Sequence, residues 1–230
     1  MSNVKSDHEL FKILKAEALG DMAFDHMLGF IKPGLSEIEC AAEIERFFKE
    51  HGAEGLAFPT IFVSGKNTEY MHGEPSEKKI EHGDFVTVDM GCVLDGYCGD
   101  MTRTVALGSV TQKMKDVYET VLEAQLAGLE ALSIGKRCRD VDKIVRDIIT
   151  DSGYGEYYIH GTGHGVGRQV HEEPYLNTRS EDLLEENMAV TVEPGIYIPG
   201  EFGVRIEDLA IITNFAIINT AHSPKELIIL

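Results

Sequence analysis

The sequence is short of positive charge, of cysteine and of long apolar runs. Lysine and arginine number 21 against 39 acidic residues, a formal charge of -18. Nucleic acid and anionic membrane would both repel such a chain, so neither is expected as a partner. The four cysteines, Cys40, Cys92, Cys98 and Cys138, form no CxxC pair, which suits reduced core thiols in a reducing compartment. Nowhere is there a run of about 18 apolar residues, and the opening MSNVKSDHELFKIL has no apolar signal region. The expectation is therefore a cytoplasmic protein with no membrane segment. No linker, low-complexity tract or charge block divides the 230 residues, which are enough to enclose a full core. With 43% hydrophobic and 26% charged residues, the composition is that of an ordinary globular protein.

What is present reads as helix pairs alternating with strands. Ser6 with Glu9 and Ser36 with Glu39 are S-x-x-E capping boxes, each opening a segment with helical apolar spacing. The first helix is predicted to end near Ile31 and the second near His51, with Lys32-Pro33-Gly34 between them and Gly52 as C-cap. Pro59 to Ser64 reads as a strand and Gly65-Lys66-Asn67 as a turn. A second helical pair covers about Thr111 to Leu132 and Arg139 to Ser152. The clearest later strands are Ala189 to Val192, Val204 to Ile206 and Ala210 to Thr213.

The stretch Gly83 to Gly108, GDFVTVDMGCVLDGYCGDMTRTVALG, organises the rest. Phe85 to Met90 alternates as a strand that carries Asp89 out of an apolar run. Asp100 follows eleven residues later, past a Gly-rich turn at Leu94 to Gly96, so a hairpin could point both carboxylates at one place. Two acids held close repel unless a proton or a metal lies between them. The helix pairs also resemble each other. Gly34 and Gly52 match Gly135 and Gly153 at an offset of 101, with Cys40, Ile44, Phe47 and Phe48 falling on Val141, Val145, Ile148 and Ile149. VTVDMG at Val86 to Gly91 is echoed by VTVEPG at Val190 to Gly195, an offset of 104 that aligns Asp89 with Glu193. A pseudo-twofold relation between halves would set Asp89 and Asp100 facing Glu193 and Glu207, with two helix pairs on one face of a curved, mostly antiparallel sheet of six strands.

The third informative stretch is HGTGHGVGRQVHEEP, His160 to Pro174. Four glycines in its first eight residues argue against a helix, so His160 and His164 are not a helical H-E-x-x-H zinc site. The glycines would let the backbone approach a ligand. Three of nine histidines lie here and a fourth, His72, sits in MHGEP. Imidazoles clustered with carboxylates on strands are the usual ligands of a hydrolytic divalent metal.

Together, VDMG...GYCGDMTRTV, HGTGHGVGRQVHEEP, VEPGIY and GVRIED resemble the catalytic domain of the Xaa-Pro aminopeptidase and prolidase group of pita-bread metallopeptidases, which also includes methionine aminopeptidase and creatinase. The resemblance implies an α+β pita-bread fold, with residues 1–230 as one catalytic domain of two pseudo-symmetric halves, about 1–108 and 109–230. It implies that Asp89, Asp100, His164, Glu193 and Glu207 ligate two metal ions, Asp100 and Glu207 bridging. It further implies catalytic roles for His72, His171 and Glu193, and substrate contacts from His160, Tyr197 and Arg205. The implied activity is hydrolysis of the N-terminal peptide bond of short peptides, with Xaa-Pro bonds preferred.

Elementary chemistry fits that ligand set. Four carboxylates and one imidazole are too few for two separate coordination spheres, so ligands must be shared and the ions held about 3.5 to 4 Å apart. Oxygen-rich coordination favours Mn(II), with Co(II) or Zn(II) able to substitute. In the expected mechanism His171 stabilises the oxyanion and Glu193 relays the proton to the leaving nitrogen. Three departures from the family pattern stand out. The chain starts directly at the catalytic domain, without the N-terminal domain that walls the site in full-length relatives; Gly99 replaces a common serine; and Asn214 to Ala216 lacks the usual polar turn. A homodimer is among the assemblies the resemblance allows. The alternatives are a methionine-type or broader aminopeptidase, distinguished by cleavage of Met-Ala against Xaa-Pro peptides, and a non-catalytic peptide-binding module, distinguished by metal content.

Overall fold

The computed structural model describes residues 3–230. Its helices fall in two pairs, α1 (Asp7–Phe30) with α2 (Glu37–Glu50) and α3 (Gln112–Ala131) with α4 (Cys138–Asp151). Both predicted capping boxes form: the Ser6 and Ser36 side chains accept from the backbone amides of Glu9 and Glu39, whose carboxylates return the bond to the serine amides. Such reciprocal bonds satisfy two amide donors that a helix start otherwise leaves orphaned. The four glycines matched by the repeat, Gly34, Gly52, Gly135 and Gly153, all have φ between 81° and 91°, so the chain leaves the corresponding helices by the same left-handed backbone step.

The strands are β1 (Gly55–Leu56), β2 (Ile61–Ser64), β3 (Phe85–Met90), β4 (Cys92–Leu94), β5 (Tyr97–Cys98), β6 (Met101–Ala106), β7 (Gly163–Gly165), β8 (Glu172–Leu176), β9 (Ala189–Val192), β10 (Gly195–Ile198), β11 (Phe202–Arg205), β12 (Asp208–Ile212) and β13 (Ile217–Asn219). The expected six-stranded sheet is instead divided into antiparallel sheets of order β2-β3-β6, β13-β12-β9-β7-β8, β1-β4-β5 and β10-β11. Within the first two, β2-β3-β6 and β7-β9-β12 are the same arrangement: the strand that leads to Asp89 and the strand that leads to Glu193 each lie between two neighbours. The halves meet where Thr102 bridges Glu207.

Every residue of β3, β6, β9 and β12 is buried. One face of the first sheet packs on α1 and α2 through Val86, Val88, Met90 and Val105 against Phe24, Ile44 and Phe48. Along the second pair, Val117, Val121 and Val145 pack with Phe85, Ile196 and Val204. Truncating a fully enclosed side chain such as Phe48 to alanine would cost about 3 to 5 kcal/mol through lost burial and the cavity left behind. With the helices covering one side, Asp89 of β3 and Glu207, just before β12, are buried and line the site.

Two local expectations change. Gly65-Lys66-Asn67 is the start of a 3-10 helix over Gly65–Glu69, closed by the Thr68 hydroxyl donating to the Gly65 carbonyl at 2.6 Å. The turn at Asn214 to Ala216 is polar after all, through Thr213: its hydroxyl accepts from the amides of Phe215 and Ala216 and donates to the Ala216 carbonyl. Among the described residues no helix is long and apolar enough to cross a membrane.

Candidate metal centre

Asp89 lies near the end of β3, opposite Thr102 of β6. Asp100 precedes β6, and its amide donates to Glu17 Oε1 of α1 at 2.7 Å. His164 is the middle residue of β7, and Glu193 and Glu207 follow the ends of β9 and β11. These five side chains reach one cavity of about 480 Å³. Single ligand atoms of Asp100, His164 and Glu207 all lie within 4.8 Å of one another. His164 Nε2 is 3.2 Å from Glu193 Oε1 and 3.5 Å from Asp100 Oδ2.

The donor set fits a cation. His164 Nδ1 is 3.1 Å from the Gly165 carbonyl, a partner that can only accept, so Nδ1 carries a proton and the lone pair of neutral imidazole is at Nε2, facing the carboxylates. Asp89 Oδ1 is buried without a hydrogen-bond partner. Lone pairs converging among buried side chains repel one another unless a positive charge lies among them. The proton affinities carry the same signature. Burial, and then the neighbouring carboxylates, push Asp100 and Glu207 well above the ordinary carboxylate range. Burial raises Asp89 too, against the pull of Arg205. Burial also opposes charge on Glu193, but when no cation is bound and His164 takes up a second proton at Nε2, its hydrogen bond and charge overcome burial and hold the Glu193 carboxyl down to about 2. Burial likewise opposes charge on His164, and the Glu193 carboxylate overcomes it, raising the imidazole above its usual value.

Around these ligands lies a shell of orienting groups. Arg205 donates from Nη2 to Asp89 Oδ2 at 2.6 Å, from Nη1 to the Tyr197 hydroxyl at 2.8 Å and the Met71 carbonyl at 3.1 Å, and from Nε to Thr102 Oγ1 at 3.1 Å. His160 Nδ1 faces the Gly161 carbonyl at 2.8 Å, leaving Nε2 to accept from the Tyr197 hydroxyl at 3.0 Å. Burial lowers the His160 affinity for a proton. Tyr197 therefore sits behind Arg205 and His160, outside the cavity wall that those two help form. His171 and His72 are exposed at the cavity. The His171 ring stands edge-on to His164 with centroids 4.3 Å apart, and burial followed by the charge of His164 lowers its proton affinity.

Several neighbours of the ligands were assigned no role by the motifs. Thr102 donates to Glu207 Oε2 at 2.6 Å. Thr191 accepts from the His164 amide at 3.0 Å and donates to Glu193 Oε1 at 3.1 Å. Arg103 holds the Glu207 carbonyl at 2.6 Å and pairs with Asp208 at 2.7 Å in full burial. Glu17 is buried with Oε2 unpartnered, and burial raises its carboxyl to about 8. An acid within the apolar stripe of α1, beside Ile13 and Ala16, is the one sequence signal that could have found it.

Of the glycines from His160 to Gly167, Gly161 and Gly163 line the cavity, and neighbouring backbone also constrains them. A Cβ on Gly163 would run into the Thr191 carbonyl of the adjacent strand, so close strand approach requires glycine there. Gly99 has a similar reason: a Cβ would come within 2.9 Å of the α1 backbone at Ala16, so α1 packs too close here for a side chain.

The comparisons with known proteins accord with this geometry. The profile of Metallopeptidase family M24 matches residues 12–214. An uncharacterized peptidase, YqhT, of Bacillus subtilis is 46% identical over 227 residues, covering 99% of this chain and 64% of that protein. The Xaa-Pro dipeptidase of Pyrococcus furiosus is 42% identical over 225 residues, covering 98% of this chain and 65% of that one. The solved structure of an Xaa-Pro dipeptidase from Bacillus anthracis superposes with a TM-score of 0.97 at 50% identity, covering 99% of this chain and 64% of that chain. The chain thus spans about two thirds of the length of these relatives, just under it for each. Matched along nearly its whole length, and with the pita-bread fold of those structures, it belongs to metallopeptidase family M24.

Proposed function

We propose that this chain is the catalytic part of a dinuclear metal-dependent exopeptidase that removes the N-terminal residue from short peptides, with proline favoured after the cleaved bond. The observation that carries the reading is the convergence of Asp100, His164 and Glu207 ligand atoms within 4.8 Å at the floor of an open cavity, with Asp89 and Glu193 beside them. In this reading all five residues are ligands, and Asp100 and Glu207 are shared between ions. The oxygen-rich set favours Mn(II).

Two divalent ions held there would polarise the peptide carbonyl and acidify water toward neutrality. The protein's own groups do the rest. Arg205 and Thr102 hold Asp89 and Glu207 in fixed orientations, so the ligands need not reorganise as charge develops. Glu193 accepts a proton from the attacking water at a carboxylate oxygen and delivers it to the leaving nitrogen. His171, neutral and beside His164, donates a hydrogen bond to the developing oxyanion. His72 and His160 contact the substrate at the cavity wall, His160 being fixed by Tyr197. The names of the two Xaa-Pro dipeptidases above support the bond preference. We also place the protein in the cytoplasm, in keeping with four free, buried cysteines.

The test is cleavage of Ala-Pro-Ala, Met-Ala-Ala and Ala-Ala-Ala by the Mn(II)-loaded chain. The reading expects Ala-Pro-Ala to be cleaved at least tenfold faster than the other two. Faster cleavage of Met-Ala-Ala would assign a methionine-type aminopeptidase, and no bound metal with no cleavage would assign a peptide-binding module.

A further inference from the structure

Glu17 lies on the inner side of α1, 1% exposed, in a stretch with the buried residues Ile13, Ala16 and Gly20. Its Oε1 accepts from the Asp100 amide at 2.7 Å, and its Oε2 has no partner. A carboxyl group loses more solvation there than an apolar residue would, so the bond to Asp100 is what an acceptor at this position supplies. α1 presses closely on the place. A Cβ on Gly99 would come within 2.9 Å of the Ala16 backbone, and Cys92 Sγ lies 3.7 Å from the Ala16 carbonyl. Asp100 itself stands between β5 and β6, where the chain passes from one sheet to another. Strand pairing reaches Cys98 before it and Met101 after it, and the amide between them takes its partner from α1.

Three other proposed ligands are held by their amides in a simpler way. The Glu193 and Glu207 amides donate to the Thr162 and Thr102 carbonyls at 2.8 and 3.0 Å, and the His164 amide donates to the Thr191 hydroxyl at 3.0 Å. For Asp100 the same task falls to a side chain reaching across from a helix. An aspartate side chain is short, so its oxygens move with its backbone. A tilt of the peptide at Asp100 would carry Oδ2 away from its place 3.5 Å from His164 Nε2. The Glu17 oxygen that faces Asp100 accepts whether the carboxyl is ionised or carries a proton on Oε2, so this contact does not depend on the charge of Glu17. Resting on the two-metal reading above, we infer that Glu17 is a positioning residue of the centre: it fixes the backbone of Asp100 so that both carboxylate oxygens stand ready before metal binds.

Glu17→Gln keeps an oxygen at the same reach, and Glu17→Leu removes it at similar volume; if the leucine variant does not fold, Glu17→Met takes its place. In the metal-free chain, deuterium exchange of the Asp100 amide, followed by NMR, should quicken by about tenfold or more in Glu17→Leu and stay near parental in Glu17→Gln. Mn(II) affinity, read by competition against a chelating dye, should fall by about 10- to 100-fold in Glu17→Leu and stay close to parental in Glu17→Gln. A lower Tm in Glu17→Leu with unchanged Mn(II) affinity would make Glu17 a packing residue and overturn the inference. Equal losses in the two variants would also overturn it, because the acceptor oxygen would then not be what matters. If the parental chain takes up no Mn(II), the two-metal reading fails separately, and amide exchange decides whether Glu17 fixes Asp100. Protection lost in Glu17→Leu and kept in Glu17→Gln supports that role, and parental protection in Glu17→Leu overturns it.

Discussion

Thr102 and Glu207, from opposite halves of the molecule, are joined twice: the Glu207 amide donates to the Thr102 carbonyl at 3.0 Å, and the Thr102 hydroxyl donates to Glu207 Oε2 at 2.6 Å. The backbone bond ties the halves together, and the hydroxyl aims a carboxylate that we propose as a shared ligand. Thr102→Val keeps the shape and removes only the hydroxyl. Metal affinity should fall by about 10- to 100-fold, the usual cost of losing a partner that orients a ligand, while Thr102→Ser retains it. Competition against a chelating dye measures this, and unchanged affinity in the valine variant would show that the hydroxyl does not orient Glu207 for metal.

Asp100→Asn tests sharing. An amide cannot divide two anionic oxygens between two cations, so both metal content and turnover should collapse although the fold is kept. A variant that retains two metals per chain and parental turnover would remove Asp100 from the centre.

Proton release gives an independent reading. Burial and mutual repulsion hold the carboxyls of Asp100 and Glu207 well above their ordinary range, so they favour the protonated form further up the pH scale than free carboxyls do. A cation must displace those protons, and apparent affinity therefore rises with pH. Calorimetric titration with Mn(II) in buffers of different ionisation enthalpy should show net proton release that shrinks as pH rises. Proton uptake on binding would contradict the assignment.

The two histidines separate by role. His164→Ala should lose metal. His171→Ala should keep it while kcat falls by about 10² to 10³, typical of one lost oxyanion donor. Circular dichroism and Tm must first show the scaffold intact, because bound metal itself stabilises the folded chain. Loss of metal in His171→Ala, or full turnover on every peptide, would reassign that residue.

Much of this was legible because it is locally encoded. A capping box is closed within four residues, and helix-terminal glycines are demanded by one backbone angle, so both could be read directly. Burial hid other features. Each residue of β3 and β9 is enclosed, so polar and apolar faces no longer report outside and inside. The little strands Cys92–Leu94 and Tyr97–Cys98 are too short to show periodicity, and they came into view only with the fold. The five proposed ligands could be named from motifs; Thr102 and Thr191 lie inside quoted motifs and Glu17 outside them, but none had a readable role, because what makes them matter is a partner elsewhere in the chain: Glu207 for Thr102, His164 for Thr191 and Asp100 for Glu17. The space beside Gly161, Gly163 and Gly165 is taken by neighbouring backbone, a constraint that the sequence alone does not announce.

The most direct test of the whole account is stoichiometric reconstitution: the chelated chain is titrated with Mn(II) while cleavage of Ala-Pro-Ala is followed. The account predicts that activity, absent without metal, reaches its plateau at two equivalents per chain and that Glu207→Gln never reaches it. Activity that saturates at one equivalent, or that persists in the chelated chain, would contradict a dinuclear centre built from these five residues.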